Sequence, residues 1–365
     1  MKNFYTNFDG PIVETKAGKV RGFVWDDSYC FFGMEYAKAG RFEQPAEVEA
    51  WEGVKPALNY SYIAYPWQPD NPNGDLLVPH RFWPKSEDCL NLNLWTPTLD
   101  PEAKKPVIVW YHGGGYANGS ALEQVCYDGQ ALATEQGVIV ITVNHRLNVF
   151  GFLDLSAYGP EYENSVNCGI ADLVASLKWI HNNIRAFGGD PENVTIFGQS
   201  GGGGKVSALE QIPAASGLFH KAIVMSGAIP DDDGLVYTTA PGKLIAETIM
   251  EEIGSPEHDF NDLLTCPETI LEIGTERALN RLKKEGYAIG WGPKKNGWYE
   301  GYVAYNGVSK HSKNIPTIFG TELCEFGFNP VRDLNAVPEE ERTAILRKKY
   351  GEAADKLIGL YKKAY

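Results

Sequence analysis

Short, unbroken apolar runs recur along the chain: "PVIVWY" (106–111), "GVIVITV" (137–143), "NVTIFG" (193–198), "KAIVMSG" (221–227) and "IPTIFGT" (315–321). They lack the period-2 alternation of a strand with one wet face, so they predict strands buried on both faces. Helical patterns fill the intervals. Residues 169–187 place Ile170, Leu173, Val174, Leu177, Ile180 and Ile184 on one helical face, and "GGDP" ends that helix. Residues 338–349 and 351–364 predict two charged amphipathic helices, and "IVETKAGKVRGFV" (12–24) predicts two strands joined at Ala17-Gly18. Alternation of this kind predicts an α/β fold: a mainly parallel central sheet with helices on both faces and a small β-hairpin region at the start. Residues 64–80, rich in Pro and Asn, read as a long surface loop. No repeat, low-complexity tract or clear linker interrupts residues 1–365, which read as a single domain.

Composition narrows the function classes. With 365 residues, 43% of them hydrophobic, the chain has ample material for a large core. A formal net charge of −14 repels nucleic acid and anionic membrane, and there is no basic patch with interleaved aromatics. No apolar run approaches the length of a membrane span. The first residues lack the apolar core of a signal peptide. Cys30, Cys89, Cys126, Cys168, Cys266 and Cys324 are scattered and form no CxxC pair. Thiols used in this way predict a reducing, cytoplasmic compartment. No metal-ligand constellation, dinucleotide G-x-G-x-x-G or P-loop stands in the sequence, so neither metal nor cofactor is expected.

The chemistry concentrates in two glycine-rich stretches. Gly198-Gln199-Ser200-Gly201-Gly202 follows the apolar run "NVTIF", and residues 201–212 can start a helix. This is G-x-S-x-G at a strand-to-helix turn, the setting of an exposed serine nucleophile. Glycine is needed because the turn is tight and side chains beside the serine would collide with adjacent elements. Upstream, Tyr111-His112-Gly113-Gly114-Gly115-Tyr116 follows "PVIVW". Acyl transfer passes through an oxyanion, and a glycine loop lets backbone N–H donors approach it closely. His112 invites a catalytic reading, but its place at the turn favours a structural hydrogen bond.

With these motifs goes a resemblance that covers nearly the whole chain. "SEDCLNLNLWTP" (86–97), "PVIVWYHGGGY" (106–116), "NHRLNVFGFL" (144–153), "NCGIADLVASLKWIHNNIRAFGGDPENVTIFGQSGG" (167–202) and "KAIVMSG" (221–227) are similar in order and spacing to the type-B carboxylesterases. The resemblance implies an α/β-hydrolase fold and hydrolysis of carboxylic esters through a Ser-Glu-His triad. It carries Ser200 over as nucleophile and Gly114, Gly115 and Gly201 as oxyanion donors. It puts Glu325 in the place of the acid, although Cys324 and Phe326 depart from the family's usual Asp and Gly; Glu322 is the fallback. It implies ion pairs Arg41–Glu87 and Arg146–Asp172, and a hydroxyl, Ser226, near the nucleophile. Gln199 replaces the glutamate usual before the serine, which removes a negative charge and argues against cationic choline esters.

A serine esterase needs a base. The family's histidine lies well beyond the acid, past the position of Tyr365. The expectation is therefore that a C-terminal fragment of the same protein supplies it. His311 precedes the strand leading to Glu325 and so sits at its amino end, about 20 Å from the catalytic end; His220 also precedes a strand. His145 and His181 fit structural positions, and His258 an exposed one. His80, in the long loop, is the internal candidate. Two other readings stay open: a non-catalytic binding module of the same fold, against which the intact serine and oxyanion glycines speak, and an inactive fragment.

Overall fold

The computed structural model describes residues 4–5, 10–66, 80–227, 238–322, 337–351 and 353–364. Its strands are β1 (Phe4–Tyr5), β2 (Ile12–Glu14), β3 (Lys19–Arg21), β4 (Phe23–Trp25), β5 (Ser28–Glu35), β6 (Val54–Pro56), β7 (Asn91–Thr96), β8 (Lys105–Tyr111), β9 (Ile139–Val143), β10 (Gly189–Gln199), β11 (Lys221–Met225) and β12 (Thr317–Gly320). Nine form one sheet in the order β1-β4-β5-β7-β9-β8-β10-β11-β12; β2, β3 and β6 form another. From β9 to β12 all neighbours run parallel. From β1 to β9 they run antiparallel.

The five apolar runs of the sequence are β8 to β12, the parallel part that carries the site. Strands β5 and β7 carried no comparable signal. Polar residues interrupt β7, and the fold buries them by bonding them: Asn91 Nδ2 donates to the Tyr62 carbonyl at 2.8 Å, and Asn93 Nδ2 to Thr142 Oγ1 at 3.2 Å. A buried amide satisfied in this way costs little, whereas an unsatisfied one costs about 1–3 kcal/mol.

Alternate side chains of the sheet fill two cores. Leu92, Leu94, Val107, Val109, Ile139, Ile141, Val194 and Ile196 share one with Leu173, Leu177 and Ile180 of the helix Cys168–Asn183. Trp95, Val140, Cys30 and Phe32 share the other with Ala133 of the helix Gln130–Gln136. The sheet is thus covered on both faces, which is why its strands read as unbroken apolar runs. Each such aliphatic side chain contributes about 1.5–3 kcal/mol on burial.

Contacts divide the chain into two compact units, residues 1–320 and 321–365. In the second, the helices Glu339–Tyr350 and Ala353–Ala364 are joined by the Arg347–Asp355 pair at 2.9 Å and by a Lys362–Glu339 pair.

Candidate active site

Ser200 occupies the single residue between β10 and the helix Gly201–Leu209, with φ 56° and ψ −126°. A positive φ is disfavoured for any residue with a Cβ, and such strain persists only where the surroundings enforce it. Here they do. The Ser200 N–H donates to the Met225 carbonyl at 2.9 Å, and Gly204 N–H to the Ser200 carbonyl at 3.0 Å. A Cβ on Gly202 would lie 2.0 Å from the Tyr111 carbonyl oxygen, so glycine alone lets the helix sit directly on the end of β8. The serine side chain is left half-exposed, and its Oγ has no hydrogen-bond partner among the described residues.

The loop after β8 meets this turn backbone to backbone. Gly114 and Gly115 have φ of +83° and +64°, and a Cβ on Gly201 would fall 2.3 Å from the Gly115 carbonyl oxygen and 2.4 Å from its nitrogen. A Cβ on Gly113 would lie 3.6 Å from that of Ser200. The structure thus brings together Ser200, the glycine loop and the first turn of a helix whose initial N–H groups have no partner within the helix. The positive end of that helix dipole favours developing negative charge. A hydroxyl presented this way suits attack on a carbonyl whose oxygen gathers charge among backbone donors.

Other sequence-selected residues find their places around it. Ser226 also has positive φ, 52°, and its N–H donates to the Gly320 carbonyl at 2.7 Å. Ser200, Ser226 and Gly320 therefore gather at the carboxyl ends of β10, β11 and β12, while Gln199 is exposed on the rim. Glu325 lies outside the described residues, and Glu322 is exposed.

No described histidine is hydrogen-bonded to Ser200. His311 precedes β12, and His220, whose Nδ1 accepts from Val194 N–H at 3.3 Å, precedes β11. Both stand at amino ends, remote from the serine. His181 is exposed, and His258 Nε2 lies 3.0 Å from Glu251 Oε1. His80 bridges by its backbone to Gln124. His112 is buried with Nδ1 2.9 Å from the Gly113 carbonyl, and its ring stacks on His145 with centroids 5.1 Å apart. Burial first, then the nearby Lys205, hold both imidazoles well below the usual histidine range.

The two ion pairs are present. Arg41 Nε bonds Glu87 Oε1 at 2.8 Å. Arg146 grips Asp172 through Nη2 at 2.6 Å and Nε at 2.9 Å, and its own N–H adds a third bond at 3.0 Å. Sequence reasoning missed Arg81–Asp128, at 2.7 Å, and above all Lys205. Lys205 follows the glycine run in the elbow helix and is fully buried, its Nζ donating to the His112 carbonyl at 2.8 Å. The available signal was its register: Lys205 stands beside Val206 and four positions before Leu209 on a helix flanked by two strands, with no exposed face to occupy.

The sequence profile of the carboxylesterase family matches residues 9–359. The chain is 44% identical over 222 residues to the para-nitrobenzyl esterase of Bacillus subtilis, a match covering 60% of this chain and 44% of that protein. It is 40% identical over 221 residues to the phenmedipham hydrolase of Pseudarthrobacter oxydans, covering 59% of this chain and 43% of that one. The structure of an esterase from Clostridium hathewayi, described as hydrolysing aliphatic aromatic polyesters, superposes with a TM-score of 0.86 at 45% identity, over 100% of this chain and 72% of that one. The matches to the two curated relatives thus span less than half of their length.

Proposed function

The chain belongs to the carboxylesterase family, and from that premise we propose that it hydrolyses short-chain or aryl carboxylic esters through an acyl-enzyme on Ser200. The observation that carries this reading is the strained elbow itself. A serine held at φ 56° whose hydroxyl has no partner among the described residues, packed against a glycine loop, has no packing purpose that alanine would not serve. In the proposed reaction the backbone N–H groups of Gly114, Gly115 and Gly201 receive the oxyanion. Ser226 stands near as a supporting hydroxyl, and Glu325 is the proposed acid. Gln199, neutral and exposed, favours uncharged esters over cationic ones.

The base is proposed to be none of the seven histidines in these 365 residues. The expectation that a separate C-terminal polypeptide supplies it gains no support from the solved relative, in which the matched region lies within one longer chain. Among the described residues no helix is long and apolar enough to cross a membrane. The five described cysteines are unpaired, which supports a reducing compartment such as the cytoplasm.

The test is a fluorophosphonate probe read by intact mass, with p-nitrophenyl butyrate as substrate. We expect one adduct, located to Ser200, and slow ester hydrolysis that Ser200→Ala removes, the rate being low in wild type because these residues supply no base. Neither adduct nor hydrolysis in the folded wild-type protein would overturn this reading in favour of an inactive fragment or a non-catalytic binding module.

A further inference from the structure

The glycine run that seats the elbow helix against β8 removes every side chain from their contact until Lys205. That residue's Nζ reaches the carbonyl oxygen of His112, the point where β8 ends and the glycine loop begins. The amine is fully buried, and among the described residues no carboxylate lies within ion-pairing distance of it. Lysine is almost never buried unpaired, so its retention here needs a reason. Its surroundings are also unusual. The Nδ1 of His112 lies 2.9 Å from the Gly113 carbonyl and that of His145 lies 2.8 Å from the Arg146 carbonyl. A carbonyl only accepts, so each ring carries a proton on Nδ1, and burial disfavours a second proton on either ring. Arg146, which acts on His145, is already matched by Asp172. The remaining charge acting on the amine is Glu123, half-buried and bonded by the Tyr127 hydroxyl.

We propose that Lys205 is a positioning residue of the oxyanion loop: its amine fixes the His112–Gly113 peptide from which Gly114 and Gly115 hang, and in its ammonium form it adds positive charge close behind the donors. This role rests on the esterase reading above. Burial, opposed by Glu123, brings the amine down to about 7. Its charge therefore changes across the neutral range, while His112 and His145 stay neutral through it. Two consequences follow. The donor hydrogen bond strengthens when the amine is charged, so acylation falls on the alkaline side as Lys205 loses its proton. Replacing the amine loosens the loop in the transition state more than in the ground state, so kcat falls and KM does not.

The experiment compares wild type, Lys205→Met and Lys205→Arg for p-nitrophenyl butyrate hydrolysis and fluorophosphonate labelling across neutral and alkaline pH. Lysine Cε resonances are followed by NMR in ¹³C-labelled protein. We expect Lys205→Met to lose about tenfold or more in kcat, less than removal of a whole oxyanion donor, with KM little changed and the alkaline fall abolished. Lys205→Arg, which keeps a donor that stays charged, should recover part of kcat and also lack the alkaline fall. One lysine resonance should titrate near neutral pH and vanish in Lys205→Met. If wild type acylates and Lys205→Met matches it in rate and pH profile, the positioning role is overturned alone. If folded wild type does not acylate, the esterase reading falls and the role with it.

Discussion

Two buried cations lie in the same core and are treated in opposite ways. Arg146, with its side chain 3% exposed, meets Asp172 through three hydrogen bonds and its charge is cancelled where it stands. Lys205 is equally dry but meets one carbonyl oxygen. Arg146 tethers residues 40–43 and the helix Cys168–Asn183, reaching the Gly40 and Glu43 carbonyls as well, and so does the work of a scaffold. Lys205 lies against the glycine loop proposed to receive the oxyanion. A charge that only holds the fold is neutralised; a charge left unmatched beside a reaction centre stays available to it, at a cost in stability.

The largest effect should come from breaking the matched pair. Asp172→Ala leaves a buried guanidinium without its carboxylate, and we expect a loss of about 3–5 kcal/mol in urea unfolding. Backbone contact at the elbow comes next. Gly202→Ala forces a Cβ toward the Tyr111 carbonyl, 2.0 Å away before any relaxation. Overpacking of this kind is expected to cost about 1–3 kcal/mol or more, with the proposed esterase activity lost in whatever protein still folds.

The unmatched cation should behave with the opposite sign. Lys205 binds its proton less tightly in the fold than in the unfolded chain, about 7 against 10.5. Between those values the unfolded state holds more protons, so this group makes stability rise with pH through that window, and its cost is present in full below pH 7. Lys205→Met should therefore be more stable than wild type, by a few kcal/mol at most in neutral or mildly acid buffer, with the gain shrinking toward alkaline pH. Thermal melts over a pH series check this. A variant that is less stable at every pH would make Lys205 a structural tether, in contrast to the role assigned to it. The smallest effect belongs to an exposed pair used as control. In Arg347–Asp355 the two side chains are 60% and 69% exposed, and Arg347→Ala should change stability by less than about 0.5 kcal/mol.

Much of this was legible in the residues. The five apolar runs became β8 to β12, and the helix pattern of 169–187 became the helix Cys168–Asn183 followed by a 3-10 turn over Ile184–Phe187. The helix expected over 201–212 ends at Leu209. G-x-S-x-G after a strand located the elbow because glycine reports a steric demand that is local. Strand β7 was not legible, since Asn91, Asn93 and Thr96 read as surface residues until partners distant in sequence are supplied. Glu325, the proposed acid, lies outside the described residues, so that assignment rests on the resemblance.

By itself, then, the sequence determined what depends on neighbours along the chain: strand and helix periods, the tight turn at Ser200, and the glycines that let backbones touch. Tertiary structure alone decided that Lys205 is dry, that His112 and His145 stack, and that β10, β11 and β12 bring Ser200, Ser226 and Gly320 to one end. The reason is that burial and charge are set by groups far apart in sequence. The nature of a lysine side chain says nothing of whether water, a carboxylate or the carbonyl of His112, 93 positions away, will face its amine.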